Sequence, residues 1–266
     1  MASFVVKGGD ASWASPNGGF TSSGAADYSW TANLEADEFD VTAFNASGIT
    51  SKSWISGLRS VTGELRVRYA PATIGSGGLV TFASGYVVGA HQYALNLACD
   101  AFDVTQFNAT PPTVKTFIPG LISWDGSYRC WYDDTTALAQ VGGIASAAAT
   151  FKIVEDGVSN DHTLAGNIFT KGAPATVNVG TPAEVEYAYR GDGVLTAAGT
   201  GGAAFPNPIF PVGAVTCAAS TLTLTAATGR TLAFSAFWTR ISLEVNVSQP
   251  IVLTIGFQGS GAVTIA

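Results

Sequence analysis

The sequence predicts an all-β protein, and its composition gives the first reason. Hydrophobic residues make up 47% of the 266 residues, charged residues make up only 12%, and 31 residues are glycine. Val, Thr, Ser and Ala supply much of the remainder, a mixture that suits strands and tight turns better than long helices. The stretch ELRVRYA (64–70) alternates apolar and charged residues, as a strand with one buried face does. We therefore expect an all-β sandwich architecture.

Further elements follow along the chain. VEYAYRG (185–191) and IVLTIGFQG (251–259) have the pattern of strands that end at glycine. DDTTALAQVGG (133–143) is the best place for a short helix, because an aspartate can cap its start and a glycine can end it. The expected fold therefore carries one or two short helices beside its strands.

The charge balance limits the possible partners. The formal net charge is −7, whereas proteins that grip a nucleic-acid backbone need clustered lysine and arginine. An acidic wall repels phosphate, so it would let a nucleic acid slide past without sticking. The weakly charged composition also suits a protein whose surface is largely covered by partners.

No catalytic or metal-binding motif stands out. Cys99, Cys130 and Cys217 form no CxxC pair, so we expect buried free thiols and neither a disulfide framework nor a zinc site. His91 and His162 stand apart, without a nucleophile or metalloprotease motif around them. The acidic clusters lack the spacing of a calcium loop, and no carboxylate pair is placed for glycoside hydrolysis. We expect neither an enzyme nor a cofactor.

Targeting signals are also missing. The first ten residues lack the basic and apolar regions of a secretion signal, so none is expected. No apolar run approaches the roughly 18–20 residues that span a bilayer, so we expect no membrane segment.

The chain contains a clear internal repeat. Residues 33–69 align without a gap with residues 96–132, at an offset of 63, and 19 of these 37 positions are identical. A weaker repeat aligns 163–196 with 231–264 at an offset of 68. Repeats of this kind indicate a duplicated structural unit.

The order of the repeats predicts the domain organisation. Both copies of the first repeat precede both copies of the second, which is the order that results when one domain is inserted into another. The predicted outer domain comprises 1–78 plus 205–266, and the predicted inner domain comprises 79–204. Gly/Pro-rich stretches at 70–78 and 197–213 supply the two crossings that an insertion needs. The alternative is that the four repeat copies complete one another crosswise.

The repeated motifs resemble those of a known family. The first repeat reads acidic-x-Φ-D-V-T-x-F, then Φ-x-G-L and S-x-x-G, at 37–63 and again at 100–126, where Φ is an apolar residue and x is any residue. The second repeat ends in a strand followed by G-x-G-Φ-Φ-T, at 191–196 and 259–264. In this order the motifs resemble the major tail tube proteins of long-tailed, siphophage-type bacteriophages, here with an internally duplicated tube domain.

The resemblance implies an assembly. Tube domains of this family are β-sandwiches with a flanking helix, six of which form a ring whose inner strands join a ring-wide β-barrel. Two domains per chain then imply a homotrimeric, pseudo-hexameric ring, and stacked rings form the tube through which DNA passes without specific binding. Tape-measure, terminator and distal tail proteins are the implied partners, and the implied location is the virion tail, assembled in the bacterial cytoplasm.

The resemblance also implies contact residues in the loop after each DVT strand. Carried over by position, the inter-ring or subunit contacts are Asp40, Val41, Thr42, Phe44 and Lys52 in the first loop, and Asp103, Val104, Thr105, Phe107 and Lys115 in the second. Asp40 and Asp103 have another possible role as turn formers, and the two roles can coexist. Phe44 and Phe107 have another possible role in the core.

Two other functions remain open at this stage. The chain could be another virion component on a related fold, such as a capsid decoration or tail-terminator protein. It could also be a glycan-binding β-sandwich, which would use exposed aromatic side chains such as Trp13, Trp30 or Trp54.

Overall fold

The computed structural model confirms the all-β class. It describes residues 2–7, 10–13, 20–21, 28–40, 54–69, 80–82, 87–88, 90–106, 114–131, 146–154, 161–172, 175–176, 183–200, 213–226, 230–247, 249 and 251–266.

Seventeen strands account for most of these residues, and hydrogen-bonded pairings link them into one antiparallel sheet. They are β1 (Ala2–Lys7), β2 (Asp10–Trp13), β3 (Phe20–Thr21), β4 (Tyr28–Asp40), β5 (Trp54–Tyr69), β6 (Val80–Phe82), β7 (Val87–Val88), β8 (Ala90–Asp103), β9 (Phe117–Trp131), β10 (Ala147–Val154), β11 (Asp161–Gly172), β12 (Ala175–Thr176), β13 (Glu184–Thr200), β14 (Gly213–Ala214), β15 (Ser220–Thr225), β16 (Thr231–Asn246) and β17 (Ile251–Ile265).

The described ranges contain no helix. The helix expected over 133–143 lies outside them, and so do the domain limits at residues 78 and 205. The predicted strand at 64–70 is confirmed over 64–69 by β5, in which Leu65 and Val67 are buried while Glu64 and Arg66 are exposed.

The order of the strands occurs twice. One series runs β4–β5–β17–β16–β15–β2–β3, which we call the outer unit. The other runs β8–β9–β13–β11–β10–β6–β7, which we call the inner unit. A duplicated domain would give such a repeated order, while the division into two domains stays a prediction.

The register of the strands repeats as well. In the outer unit Val67 lies opposite Leu253, and in the inner unit Cys130 lies opposite Val185. These pairs are related by the offsets of 63 and 68 found in the sequence. The first repeat therefore pairs with the second in the nested order, β5 with β17 and β9 with β13. The pairings of β2 with β15 and of β6 with β10 also correspond, although the sequence repeats do not include them.

One cluster of buried side chains includes residues of both units. Ring contacts join strands that are not neighbours in the sheet, Trp13 to Phe257 in the outer unit and Phe82 to Tyr128 in the inner unit. Tyr128 stacks on Tyr187 with ring centroids 4.9 Å apart. Burial of large side chains in both units supplies the main stabilising free energy.

A direct strand pairing joins the two units. Arg240–Asn246 of β16 pairs antiparallel with Ala98–Gln92 of β8. Apolar positions of β16 alternate with polar ones here, and Ile241, Leu243 and Val245 are buried. This pairing places the β8–β9 hairpin of the inner unit against the outer unit.

Candidate assembly interface

The base of the β8–β9 loop is closed by a local turn. The backbone N–H and the hydroxyl of Thr105 donate to Oδ1 of Asp103, at 2.9 and 2.6 Å. The Thr105 hydroxyl in turn accepts from the Thr116 N–H at 2.8 Å, and the Val104 N–H donates to the Thr116 carbonyl at 2.9 Å. Asp103 and Thr105 therefore form an Asx-type turn, the alternative role considered for this motif.

Hydrogen bonding lowers the pKa of the Asp103 carboxyl. The Thr105 hydroxyl is the larger cause and the Thr105 N–H the next, because both donate to the charged form. Asp103 itself is exposed at the end of β8.

Lys115 connects this loop to the outer unit. Its N–H donates to the carbonyl of Arg59 on β5 at 2.8 Å, and its carbonyl accepts from the N–H of Gly261 on β17 at 3.0 Å. Its ammonium lies 3.0 Å from Oδ1 of Asp37 on β4. One residue of the inner unit thus contacts three strands of the outer unit.

The next residues extend the contact. The Phe117 N–H donates to the hydroxyl of Ser260, and that hydroxyl donates to the Phe117 carbonyl, both at 2.9 Å. Gly261 has a φ of 84°, where a side chain would be strained, and its counterpart Gly193 has a φ of 79°. The second glycine of each G-x-G motif therefore has a left-handed backbone, and the N–H of Gly261 donates to the Lys115 carbonyl.

A half-exposed phenylalanine covers a glycine on each hairpin. Phe102 lies across from Gly120, and Phe39 lies across from Gly57, so closely that a Cβ on either glycine would overlap the ring. Both rings remain 52% exposed. The motif glycine of Φ-x-G-L is explained by this packing, and each hairpin presents an aromatic surface to whatever lies beside it.

The inner unit has a cleft beside Gly193, the counterpart of Gly261. The cleft holds about 330 Å³ and is lined by residues that include Asp192, Gly193 and Val194. Their counterparts at the offset of 68 are Ser260, Gly261 and Ala262, which lie where the β8–β9 loop contacts the outer unit. Asp100, the counterpart of Asp37, is exposed.

Only part of the predicted contact set lies in the described ranges. Asp40 ends β4, Asp103 ends β8, Val104 is 37% exposed, and Thr105 and Lys115 lie as given above. Val41, Thr42, Phe44, Lys52 and Phe107 lie outside the described residues. Contact with another subunit stays a prediction for the whole set.

Sequence reasoning missed the other side of the Lys115 contact. Asp37, Arg59, Ser260 and Gly261 were not among the predicted contacts, although two of them belong to repeated motifs. Their role could not be read from the sequence because it depends on the pairing of β16 with β8. Phe39 and Phe102 were also missed, and their identity in the two repeats was the available signal.

Burial bears on two further predictions, the aromatic glycan-binding face and the free thiols. Trp13 and Trp30 are 2% and 5% exposed, so neither offers the exposed ring expected of a glycan-binding face. Cys99 and Cys130 are buried and Cys217 is partly buried, and all three are free thiols. Desolvation raises the pKa of Cys130 to about 11 and also raises the pKa of Cys99 and Cys217.

The described ranges show no metal cluster and no membrane-spanning helix. They contain no group of three or more His, Cys, Asp or Glu side chains placed to hold a metal ion. They also contain no helix with the length and hydrophobicity to cross a membrane.

Comparison with known proteins adds no relative. No protein-family model matches the chain, and no curated protein matches it in sequence.

Proposed function

We propose that the chain is a self-assembling structural protein that forms the tube of a phage tail. In this proposal it builds stacked rings of three chains around a lumen through which DNA passes. The repeated DVT, GL and G-x-G motifs support the comparison with tail tube proteins. The low share of charged residues fits a surface that neighbouring subunits cover.

The observation that carries the proposal is the Lys115 contact between the units. At the offset of 63, Lys52 of the outer unit corresponds to Lys115, and Asp100 and Ile122 of the inner unit correspond to Asp37 and Arg59. Gly193 corresponds to Gly261, with the same left-handed backbone. The chain therefore contains the parts of a second contact of the same kind.

Repetition of the contact leads from one chain to the next. Within a chain, the loop of the inner unit contacts the outer unit. If the same contact forms a second time, the loop of the outer unit contacts an inner unit. That inner unit must belong to another chain. The surface that would receive it is formed by Asp100, Ile122 and Gly193, the counterparts of Asp37, Arg59 and Gly261. Such a head-to-tail interface closes into a ring if the rotation closes.

Three chains per ring follow from a sixfold repeat of units. Ring closure would also cover strand edges that a Val- and Thr-rich sheet would otherwise expose. Stacking of rings is assigned to the ends of the hairpins, where Asp40 and Asp103 lie beside Phe39 and Phe102. In the assembled tail, the tape-measure, terminator and distal tail proteins would bind the tube.

Electron microscopy of the purified protein tests this function. We expect stacked hollow tubes of uniform width, with three chains per ring. Free trimers that bind only capsids would favour a decoration protein, and free trimers that bind only the end of a tail would favour a terminator. A monomer retained on a glycan column would rule out the assembly function.

A further inference from the structure

We propose that β1 is a displaceable strand that covers the β4 edge until a second copy of this chain takes its place. The arriving strand is the edge of β11–β12 in that second copy, which pairs with no other strand among the described residues. This inference rests on the proposed function, because it concerns how head-to-tail assembly begins.

The first step is the position of β1. Ala2–Lys7 pairs antiparallel with Leu34–Ser29 of β4. Residues 29–34 correspond to 92–97 of β8 at the offset of 63, and all six of these pair with β16. Thus β1 lies on the outer unit where β16 lies on the inner unit.

The second step is that β1 repeats the sequence pattern of β16. Val6 lies opposite Trp30 as Val245 lies opposite the corresponding Tyr93. In the same way Ala2 and Phe4 occupy the positions of Ile241 and Leu243. An apolar residue stands at every second position in both strands, so β1 matches the alternation that this edge accepts.

The other half of such a junction lies on β11 and β12. The segment that corresponds to Arg240–Asn246 is 172–178, at the offset of 68. Its described part pairs with β13 on one side, with Ala175 opposite Val185 as Leu243 lies opposite Leu253. Among the described residues no strand pairs with its other side, the side on which β16 meets β8.

A second copy of the chain carries the strand that fits the β4 edge. The β16–β8 junction has one half on each unit, and the chain carries both halves of a second junction, β11–β12 and β4. Within the chain β1 occupies the β4 half, so we expect the two halves to meet head to tail between two chains. An uncovered edge would be open to uncontrolled pairing, which a short covering strand prevents.

Assembly should therefore be limited by the release of β1. An apparent dissociation constant equals the intrinsic one divided by the fraction of chains in the competent state. If about 1% of chains have β1 released, deletion of residues 2–7 lowers the critical concentration roughly 100-fold. If β1 is instead a permanent part of the assembled sheet, the deletion raises the critical concentration.

A disulfide lock tests the inference directly. Val5 lies opposite Thr31, so Val5→Cys together with Thr31→Cys can tie β1 to β4, at the separation of directly paired strand residues. The three native thiols have raised pKa values and react slowly, so the engineered pair should oxidise first. Val5→Cys alone, under the same oxidant, is the control. Assembly is followed by light scattering, and disulfide formation by mass spectrometry.

The outcomes separate this inference from the proposed function. We expect the oxidised double variant to stay monomeric and to assemble after reduction, while the control assembles throughout. Assembly of the oxidised double variant at the rate of the reduced one would overturn the role of β1 and leave the tube function standing. If the wild type, the deletion and the reduced variant all stay monomeric, both proposals fail.

Discussion

The ammonium of Lys115 lies 3.0 Å from Oδ1 of Asp37, a residue 78 positions away in the chain and in the other unit. Both side chains are only partly buried, so the ion pair itself contributes at most about 1 kcal/mol to stability. Its importance lies in geometry, because the backbone of Lys115 is bound to β5 and β17 at the same point. The pair therefore marks the place where the β8–β9 loop of the inner unit contacts the outer unit.

A charge swap should test the same recognition between chains. We expect Lys52→Glu alone, or Asp100→Lys alone, to slow assembly, because each places like charges together in the proposed interface. The double variant Lys52→Glu with Asp100→Lys should recover much of the lost rate. The measurement is the initial rate of light scattering at low and high salt.

The control for this swap is the same exchange within the chain. Lys115→Glu alone places like charges together in the intrachain pair and should lower the folding stability by up to about 1 kcal/mol, Lys115→Glu with Asp37→Lys should restore it, and both should change the assembly rate less than Lys52→Glu does. Failure of the Lys52 and Asp100 double variant to recover any assembly would count against the pairing.

A second prediction concerns stacking. We expect Asp40→Arg together with Asp103→Arg to leave the chain folded and able to form rings but unable to stack them, because the substitutions reverse charge at the ends of both hairpins. Circular dichroism reports the fold, and electron microscopy separates rings from tubes. Tubes that grow at the normal rate would show that these residues are not stacking contacts.

A third prediction concerns a repeated glycine. Gly126 lies so close to the carbonyl of Ala94 and to the buried ring of Tyr189 that a Cβ would overlap both. We expect Gly126→Ala to lower the free energy of unfolding by about 3 kcal/mol, the upper part of the range for overpacking. Gly172→Ala is the matched control, since no heavy atom lies within 4 Å of its Cβ position, and it should change stability by less than about 0.5 kcal/mol.

Urea unfolding of the two variants measures the difference. Equal stabilities for Gly126→Ala and Gly172→Ala would contradict the close approach of β8 to β9 at this point.

A fourth prediction follows from the lowered pKa of Asp103. The carboxylate form holds Thr105, so the turn contributes its full stability above the ordinary pKa of an aspartate, about 4. That contribution is lost as the pH falls through the lower pKa of the folded state. We expect the exchange of the Thr105 amide to accelerate, relative to the unfolded chain, in this acidic range.

The variant Asp103→Asn provides the comparison for this pH dependence. It keeps an oxygen that can accept the Thr105 bonds but removes the titration. Protection of the Thr105 amide that falls equally in both proteins would mean that another group controls the turn.

The sequence predicted the strand at 64–69 because its pattern is local, whereas the predicted strand ends at Gly191 and Gly259 were wrong, since β13 continues to Thr200 and β17 to Ile265. Leu65 and Val67 alternate with charged residues, and burial follows that alternation residue by residue. The doubled motif also predicted that two segments share one structure, and β4–β5 matches β8–β9. Residues related by the offsets of 63 and 68 also occupy the same register positions in the paired strands of the two units.

The contacts between units could not be predicted in this way. Arg59 offers its carbonyl to Lys115, and any residue at that position could do so, because the acceptor is backbone. The sequence also did not indicate the role proposed for β1, because that proposal depends on the pairing of Val6 with Trp30. Long-range pairing of β16 with β8 decides both features, and neither strand alone specifies it.

The central claim is that the contact between the two units recurs between chains, and zero-length cross-linking tests it most directly. A carbodiimide joins an amine to a carboxylate only where the two touch, and peptide mass spectrometry identifies the joined residues. Lys115 joined to Asp37 within one chain is the internal control, given their 3.0 Å separation. With isotopically light and heavy chains mixed before assembly, we predict Lys52 joined to Asp100 between chains, with cross-linked species that end at the trimer. The claim would be contradicted if Lys115 were joined to Asp37 but no cross-link joined Lys52 to Asp100 of another chain.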